Sequence, residues 1–380
     1  MVFNQERLAE TFITLCQIDS PSKQEKNLAD FIQALFSREF PAAQIREDNS
    51  SAGTGSEANN FVVRFAGTMN GEPLFLNCHL DTVEPCRGVT VKREGNIFTS
   101  AGETILGGDD KAGIAIVLEV MRVLHEQQIP FRPVELLFTT CEEIGLLGAK
   151  HLDHGLLQAR FGYCLDSDGT DRLIIGAPAA NHFSVEIMGR AAHAGLCPEK
   201  GISAIQIASQ AIAGMKLGRL DEESTANIGI IQGGTASNII PDQVFLKGEV
   251  RSHNAEKLAR YTRQLEERFQ GVVRDFVPGA TPGDDHRPAC VFQAAQQYPL
   301  MRLQQSDFVV QHAIRCAIAL DRQLELVVAG GGSDANIFND SRLQTAILGI
   351  GMKNVHSVQE QISLADLVQV AQLVASLITH

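Results

Sequence analysis

Short apolar runs alternate with helical patterns along the first half of the chain, and no other feature limits the possible folds as much. The runs at residues 60–65, 74–78, 134–140 and 161–165 are rich in residues that favour strands. Residues 110–127 carry apolar side chains at helical spacing. This alternation predicts a layered α/β fold in which helices cover a central sheet.

Ser22 and Glu25 precede the first helical pattern with the spacing of a capping box. Leu28, Ile32 and Leu35 then recur at helical intervals. We interpret this segment as the start of an ordinary amphipathic helix.

From about residue 178 the pattern changes to one typical of an α+β domain. Its predicted elements are strand 183–187, helix 203–215, strands 226–231 and 243–251, helix 255–270 and strand 290–294. A loop rich in Pro, Gly and Asp, residues 278–288, lies inside this segment. The first pattern resumes after Tyr298. We therefore predict one domain of residues 1–177 and 298–380, interrupted by an inserted domain of residues 178–297.

Composition argues against two classes of partner. No run approaches the roughly 18 uninterrupted apolar residues of a membrane span, and the first residues lack a basic flank with an apolar run. We therefore expect a cytoplasmic protein without a membrane partner. A net charge of -13 and the lack of a Lys/Arg cluster make nucleic acid a poor candidate. The eight cysteines show no metal or redox spacing, so disulfides are not expected.

A histidine and an aspartate follow the predicted strand 74–78, at the carboxyl end where open α/β sheets place their sites. In an extended segment His79 and Asp81 point the same way. Asp81 then accepts the far N–H of the His79 ring while the other ring nitrogen binds a metal. The alternative is an ordinary hydrogen bond in a loop.

Two adjacent carboxylates, Asp109 and Asp110, stand at the start of a helical pattern after Gly107 and Gly108. Either suits a helix cap. The glycines also permit an unusual backbone, which lets one carboxylate turn away from the helix and bridge two cations. On this motif alone, cap and metal ligand both stay open.

Glu142 and Glu143 follow the predicted strand 134–140. Neighbouring glutamates repel each other unless a cation lies between them or one is protonated. In a metal hydrolase one carboxylate binds the metal and the other takes a proton from water. The alternative is a solvated pair on a loop.

Asp166 ends another predicted strand, and His356 follows an apolar strand near residue 350. Acids and imidazoles therefore converge at several strand ends, where carboxylates without a cation would be strongly destabilising. The set needs metal. Imidazole and carboxylate ligands without thiolate favour zinc, with cobalt and manganese as alternatives. Two such ions together serve amide hydrolysis, since they hold a hydroxide and polarise a carbonyl.

Taken in order, the motifs HLDTV, GGDDKAG, CEEIGLLGAK, YCLDSDG, GRAAHAG and NVHSVQE resemble those of a dinuclear zinc exopeptidase and amidohydrolase family. This family includes peptidase T, carboxypeptidases, aminoacylases and desuccinylases, and the likeness is closest to the peptidase T-like branch. It implies a three-layer catalytic domain with a mixed sheet. The implied ligands are His79 and Asp166 on one zinc, Glu143 and His356 on the other, and Asp109 between them. It also implies Glu142 as general base and acid, with Asp81 orienting His79.

The inserted segment resembles the family's lid, which often doubles as a dimer interface, so the resemblance implies a homodimer. His193 matches a lid histidine that reaches the tetrahedral oxyanion, commonly from the other subunit. Asn238 and Arg251 match lid positions that hold the substrate's carboxylate, a group suited to the planar fork of arginine. The alternatives are a turn histidine packed between small residues and a solvated arginine.

A run of glycines, residues 330–332, is predicted to turn a strand into a helix with Ser333 or Asp334 as the cap. In relatives this loop lines the substrate cleft.

These features lead to the hypothesis of a metal-dependent aminopeptidase of the tripeptidase type that acts on short peptides. A water bridging two zinc ions is activated by Glu142, while His193 and zinc hold the oxyanion. One alternative is a carboxypeptidase or N-acyl amino acid deacylase on the same scaffold. The alternative outside enzymes is a metal-bound peptide-binding protein without turnover, which would not need Glu142.

Overall fold

The computed structural model describes residues 1–277 and 287–380, which form two compact units. The first unit is Met1–Ala177 with Met301–His380, and the second is Pro178–Leu300. Each has its own hydrophobic core. Most of the loop predicted at residues 278–288 lies outside the described residues.

The helices are α1 (Gln5–Cys16), α2 (Lys26–Glu39), α3 (Ser51–Thr54), α4 (Gly108–Glu126), α5 (Leu147–Lys150), α6 (Ala204–Ala213), α7 (Ala255–Asp275), α8 (Phe308–Ile318), α9 (Asp334–Asp340) and α10 (Leu364–Thr379). The strands are β1 (Gln44–Glu47), β2 (Phe61–Phe65), β3 (Leu74–His79), β4 (Val91–Glu94), β5 (Ile97–Ser100), β6 (Val134–Thr139), β7 (Phe161–Leu165), β8 (Arg172–Ala177), β9 (Ala179–Met188), β10 (Gly218–Asp221), β11 (Ser224–Gly233), β12 (Gln243–Ser252), β13 (Ala289–Tyr298), β14 (Met301–Arg302), β15 (Glu325–Val328), β16 (Gln344–Leu348) and β17 (Gln361–Ser363).

The first unit is built on a mixed sheet with the order β1-β2-β6-β3-β7-β16-β8-β14, and β15 pairs with β8. Its central strands β6, β3, β7 and β16 are parallel, whereas β2 and β8 run antiparallel to their neighbours β6 and β16. Every residue of β3, β6 and β7 is buried, so other elements cover both faces of the sheet. The predicted α/β fold with a mixed sheet is confirmed.

The start of α2 differs from the prediction. The helix follows the predicted periodicity, with Leu28, Ile32 and Leu35 buried. Glu25 occupies the N-cap position in helical conformation, and within the described chain no side chain caps this helix. The spacing of Ser22 and Glu25 therefore does not mark a capping box, because both side chains are bound to residues of other segments instead.

The second unit is an antiparallel sheet, β10-β11-β12-β9-β13, with α6 and α7 packed on it. In β9 the buried residues Phe183, Val185 and Ile187 alternate with more exposed ones, which gives the sheet one apolar face. Ile207 of α6 and Phe269 of α7 belong to the core on that face. The predicted strands and helices are present, and β10 is an additional strand.

No helix among the described residues is both long and apolar enough to cross a membrane. All eight cysteines are free, and Cys197 and Cys290 are the two that are partly exposed.

Candidate metal centre

The parallel strands of the first unit end at one edge of the sheet, and the predicted ligands lie there. His79 is the last residue of β3, Glu143 follows β6, and Asp166 follows β7. His356 lies in the loop after β16, and Asp109 lies at the start of α4. The structure brings all five predicted ligands together in overlapping groups.

Two imidazoles approach opposite oxygens of one carboxylate. Nε2 of His79 lies 3.0 Å from Oδ1 of Asp109, and Nε2 of His356 lies 3.3 Å from Oδ2 of the same side chain. His356 Nε2 is also 3.0 Å from Oε1 of Glu143. Ligand atoms of His79, Asp109 and Asp166 lie within 4.8 Å of one another, as do those of Asp109, Glu143 and His356. This is the arrangement that a carboxylate between two cations requires.

The electrostatics of the cluster fit bound cations. Burial and the charge of Asp109 raise the pKa of Asp166 well above its ordinary value, and burial with the charge of Asp166 does the same for Glu142. Hydrogen bonds to Asp109 and Glu143 raise the pKa of His356 to about 10. Without metal, protons must therefore neutralise this cluster. Divalent cations would replace them, and the nitrogen and oxygen donors are those zinc accepts.

Asp109 is a candidate bridging ligand because its backbone leaves the helical path. Within α4, Asp109 has φ -81° and ψ 100°, and Asp110 is also non-helical. The N-cap of this helix is Gly107, and within the described chain neither aspartate accepts a hydrogen bond from the first turn; Asp110 Oδ2 instead accepts the backbone N–H of His79 at 3.1 Å. Both aspartates are thus drawn away from the cap position. Of the two alternatives left open by the sequence, the geometry favours the metal ligand.

Glu360 holds the loop before Asp109, and sequence reasoning assigned it no role. Its buried carboxylate accepts the backbone N–H groups of Leu106, Gly107 and Asp109 at 2.9, 2.8 and 3.0 Å. Glu360 follows His356 closely in the chain, so its hydrogen bonds connect the loop that carries His356 to the loop that carries Asp109. The motif NVHSVQE contained this acid, but its partners are backbone groups that no motif reveals.

The Asp81 carboxylate is directed mainly at the backbone after β6. It accepts the N–H of Glu142 at 2.9 Å and that of Glu143 at 3.2 Å, together with the Ser22 hydroxyl at 2.6 Å. Nδ1 of His79 lies 2.8 Å from the carbonyl oxygen of Asp81 and 3.5 Å from its Oδ1. The orientation of His79 by Asp81 stays a prediction, and its nearer acceptor is the carbonyl group.

The glycine run before α9 positions another buried acid near Glu142. Ser333 is the N-cap of α9 and forms a capping box with Asn336. Asp334 is not the cap: its Oδ2 accepts a hydrogen bond of 2.6 Å from the hydroxyl of Thr139, at the end of β6. Burial raises the pKa of Asp334 to about 6, although the Thr139 hydrogen bond lowers it.

The other three predicted site residues lie in the second unit. Nδ1 of His193 accepts the backbone N–H groups of Gly195 and Leu196, both at 3.2 Å, which leaves the proton of a neutral ring on Nε2. The backbone carbonyl oxygen of Asn238 accepts the N–H of Ala194, the residue after His193. Arg251 pairs with Glu249 on its own strand at 3.0 Å.

A mixed α/β sheet with acids and imidazoles at the carboxyl ends of its strands is the arrangement expected of a metal-dependent hydrolase. Residues 75–380 match the model of Peptidase family M20/M25/M40, and the chain belongs to this family. The predicted family and the prediction of an enzyme are confirmed.

Three similar proteins are matched over nearly their whole length. The chain is 38% identical over 376 residues to the uncharacterized protein YqjE of Bacillus subtilis, which covers 99% of this chain and 98% of that protein. A tripeptidase crystal structure from Staphylococcus aureus superposes with a TM-score of 0.92 at 35% identity, covering 100% of this chain and 99% of that one. The crystal structure of aminopeptidase PepT from Bacillus cereus superposes with a TM-score of 0.87 at 37% identity, covering 99% of this chain and 98% of that one.

Proposed function

We propose that the chain is a metal-dependent aminopeptidase of the tripeptidase type, which removes the N-terminal residue from short peptides. The observation that carries this proposal is the pair of imidazoles, His79 and His356, on opposite oxygens of Asp109 in a member of a peptidase family. Similarity to a tripeptidase and to an aminopeptidase along nearly the whole chain supports the choice within the family.

The candidate ligands would hold two zinc ions. His79 and Asp166 would bind one ion, Glu143 and His356 the other, and Asp109 both. When bound, zinc acidifies water and polarises the carbonyl group of the scissile bond.

Glu142 is the proposed general base and acid. It is buried beside the ligands, and its backbone N–H is fixed by Asp81 at 2.9 Å. This carboxylate takes a proton from the attacking water and passes it to the leaving amine. Burial and the nearby Asp166 raise its pKa, which suits a group that must keep a proton between two steps.

The remaining roles rest on the resemblance and on local geometry. His193 presents an Nε2–H donor suited to an oxyanion, and Asn238 and Arg251 are proposed to bind the carboxylate of the substrate. We propose residues 178–297 as a lid and dimerisation domain of a homodimer. Eight free cysteines support a reducing compartment such as the cytoplasm.

The first test is an assay of protein stripped of metal and reloaded with zinc, cobalt or manganese. Free-amine tripeptides and matched N-acylated amino acids are the substrates, and release of amine is followed. The proposal expects metal-dependent cleavage of the tripeptides. Cleavage confined to acylated substrates would assign the chain to the deacylases, and no turnover with metal bound would contradict an enzymatic role on these substrates.

The second test is Glu142→Gln, which keeps the shape of the side chain but not its basicity. We expect the variant to bind the same amount of zinc as the wild type and to lose about 10²–10⁴-fold in kcat, the usual contribution of a general base. Glu135→Gln is the matched control, because Glu135 is a buried carboxylate at the opposite end of β6. Near-wild-type turnover of Glu142→Gln would reject the assigned base.

A further inference from the structure

The backbone that carries Glu142 is held by buried side chains from three other segments. Four consecutive N–H groups, from Thr140 to Glu143, donate to side-chain oxygens. These bonds are Thr140 to Asn60 at 3.1 Å, Cys141 to Glu25 at 3.0 Å, Glu142 to Asp81 at 2.9 Å and Glu143 to Asp81 at 3.2 Å. Such a run of backbone donors satisfied by side chains fixes the course of the chain after β6.

The backbone turns most sharply at Cys141. This residue has a φ of +53°, in the left-handed region that residues other than glycine disfavour. The turn at Cys141 directs the next two N–H groups toward Asp81. The conformation of Cys141 therefore sets the position of the Glu142 Cα atom, from which the side chain extends.

Glu25 is the group that binds the backbone of Cys141, and it is fully buried. Its Oε1 accepts the N–H of Cys141 at 3.0 Å, the Cys141 thiol at 3.2 Å and the N–H of Lys23 at 2.9 Å. Its Oε2 accepts the hydroxyl of Ser56 at 2.5 Å. A buried carboxylate with donors on both oxygens is held firmly in place.

We propose that Glu25 is a positioning residue that sets the general base Glu142 through the backbone of Cys141. The inference rests on the proposed function, in which Glu142 moves the proton. Loss of Glu25 leaves the Cys141 N–H without its carboxylate and removes what favours the left-handed backbone. Glu142 then moves away from its working position, and displacements of about 1 Å can cost 10²-fold in rate.

The test compares kcat and KM of zinc-saturated variants on a tripeptide that the wild type cleaves. Glu25→Ala is expected to lower kcat by about 10–100-fold with KM changed by less than about 3-fold. Glu25→Gln keeps an acceptor oxygen for Cys141, and the Ser56 hydroxyl can turn to accept from the amide, so kcat returns to within about 3-fold of wild type. A kcat of Glu25→Ala close to that of the wild type would overturn the proposal.

Two further variants separate positioning from loss of structure. Glu135→Ala removes a buried carboxylate that accepts the N–H groups of Gln158 and Ala159, and it is expected to leave kcat unchanged. If Glu25→Ala does not fold, Glu25→Asp replaces it, since the shorter side chain cannot reach both Cys141 and Ser56. The same loss of kcat is expected, and its absence counts against the proposal.

Cys141→Gly tests whether Glu25 acts through this backbone. Glycine adopts a φ of +53° without steric cost, so it depends less on the Glu25 hydrogen bond. In the Cys141→Gly background, Glu25→Ala is expected to cost only a few-fold in kcat. An equal loss in both backgrounds would show that Glu25 does not act through Cys141.

Hydrogen–deuterium exchange gives a readout that does not depend on activity. Glu25→Ala should raise amide exchange in residues 140–147 and leave residues 157–160 unchanged, whereas Glu135→Ala should do the reverse. If the wild type cleaves no peptide, the proposed function fails while this measurement still decides the role of Glu25. Unchanged exchange in residues 140–147 would overturn it.

Discussion

The histidines of the candidate metal centre are bound to carboxylates, which ties zinc affinity to pH. Hydrogen bonds to Asp109 and Glu143 raise the pKa of His356 to about 10 in the metal-free protein. Burial lowers the pKa of His79, but hydrogen bonds to carboxylates outweigh it and raise the pKa well above its ordinary value. Both imidazoles are therefore protonated at neutral pH, and zinc binds only the neutral ring.

We predict that zinc binding at pH 7 releases protons from His79 and His356. The apparent zinc affinity should rise by about tenfold per pH unit for each proton released. Calorimetric titrations in buffers of different protonation enthalpy measure the number of protons. Binding without proton release, or an affinity that does not change between pH 6 and 8, would contradict this prediction.

A third histidine, which is not among the candidate ligands, has its pKa shifted in the opposite direction. His312 of α8 packs beside Phe161, and its Nδ1 lies 2.7 Å from the hydroxyl of Tyr163. In the described chain its buried Nε2 has no hydrogen-bond partner. Burial lowers the pKa of His312 to about 4, with the charges of Arg132 and Arg315 acting in the same direction.

Lowering the pH should therefore destabilise the folded protein through His312. The unfolded chain takes up the proton near pH 6.5, before the folded one, so stability present above that pH is lost as the pH falls toward 4. Between pH 7 and 4 the free energy of unfolding should fall by about 2–3 kcal/mol more in wild type than in His312→Phe. Urea unfolding at several pH values tests this, and parallel pH curves for the two proteins would refute it.

At the residue scale, the sequence predicted candidate metal ligands but not the groups that hold their backbone in place. His79, Asp109 and Glu143 were predicted because acids and imidazoles converge at several strand ends, where carboxylates without a cation would be strongly destabilising. Glu25 and Glu360 were not, because each binds backbone N–H groups from distant segments, and every residue except proline offers such a group.

At the element scale, α5 supports the turn after β6 through a single glycine. A Cβ atom on Gly148 would lie 2.2 Å from the carbonyl oxygen of Thr140 and 2.7 Å from its nitrogen. Both atoms belong to the backbone that leads to Glu142, so they cannot move without displacing it.

We predict that Gly148→Ala lowers both stability and activity. Overpacking of this kind costs about 1–3 kcal/mol in the free energy of unfolding, and kcat should fall by at least about tenfold. Gly102→Ala is the control, since a Cβ there meets no atom within 4 Å. Urea unfolding and steady-state kinetics on both variants are the measurements, and equal behaviour of the two would count against the prediction.

The strands whose residues are all buried were predicted correctly. β3, β6 and β7 are apolar along their length because both faces are covered, so their sequences stand out. β4 and β5 were missed, because these short strands expose much of their surface and carry charged or polar residues. The capping-box spacing at Ser22 misled for a related reason: a serine and an acid serve equally well as caps and as partners of distant groups.

At the scale of the molecule, each of the two units has its own core, and all candidate metal ligands lie in the first. Phe269 is fully buried in the core of the second. A ligand that binds only the folded form of a unit stabilises that unit.

We predict two calorimetric transitions that respond to different changes. Removal of metal should lower the melting temperature of the first unit, whereas Phe269→Ala, which costs about 3–5 kcal/mol as a cavity, should lower that of the second. Scanning calorimetry of wild type and variant, with and without chelator, tests this. A single transition that both changes shift together would contradict it.

The change of pattern near residue 178 coincides with the start of the second unit at Pro178, whereas the other end of that unit differs from the predicted boundary. The predicted boundary at residue 297 lies inside β13, and the second unit ends at Leu300. β13 continues through Ala295 and Gln296, which are exposed and carry no strand signal. Backbone hydrogen bonds to β9 extend the strand through these residues, and such bonds do not depend on which side chains are present, so the sequence does not reveal them.

The position of β16 has a consequence for the order in which the chain is made. β16 lies between β7 and β8, although more than a hundred residues of the second unit separate it from both along the chain. A nascent chain that ends at residue 300 therefore contains the whole second unit but an incomplete sheet, and it lacks His356. Because synthesis proceeds from the N-terminus, the second unit can fold on the ribosome while the first stays open. The candidate metal centre should thus stay incomplete, and the protein inactive, until residue 356 has emerged from the ribosome.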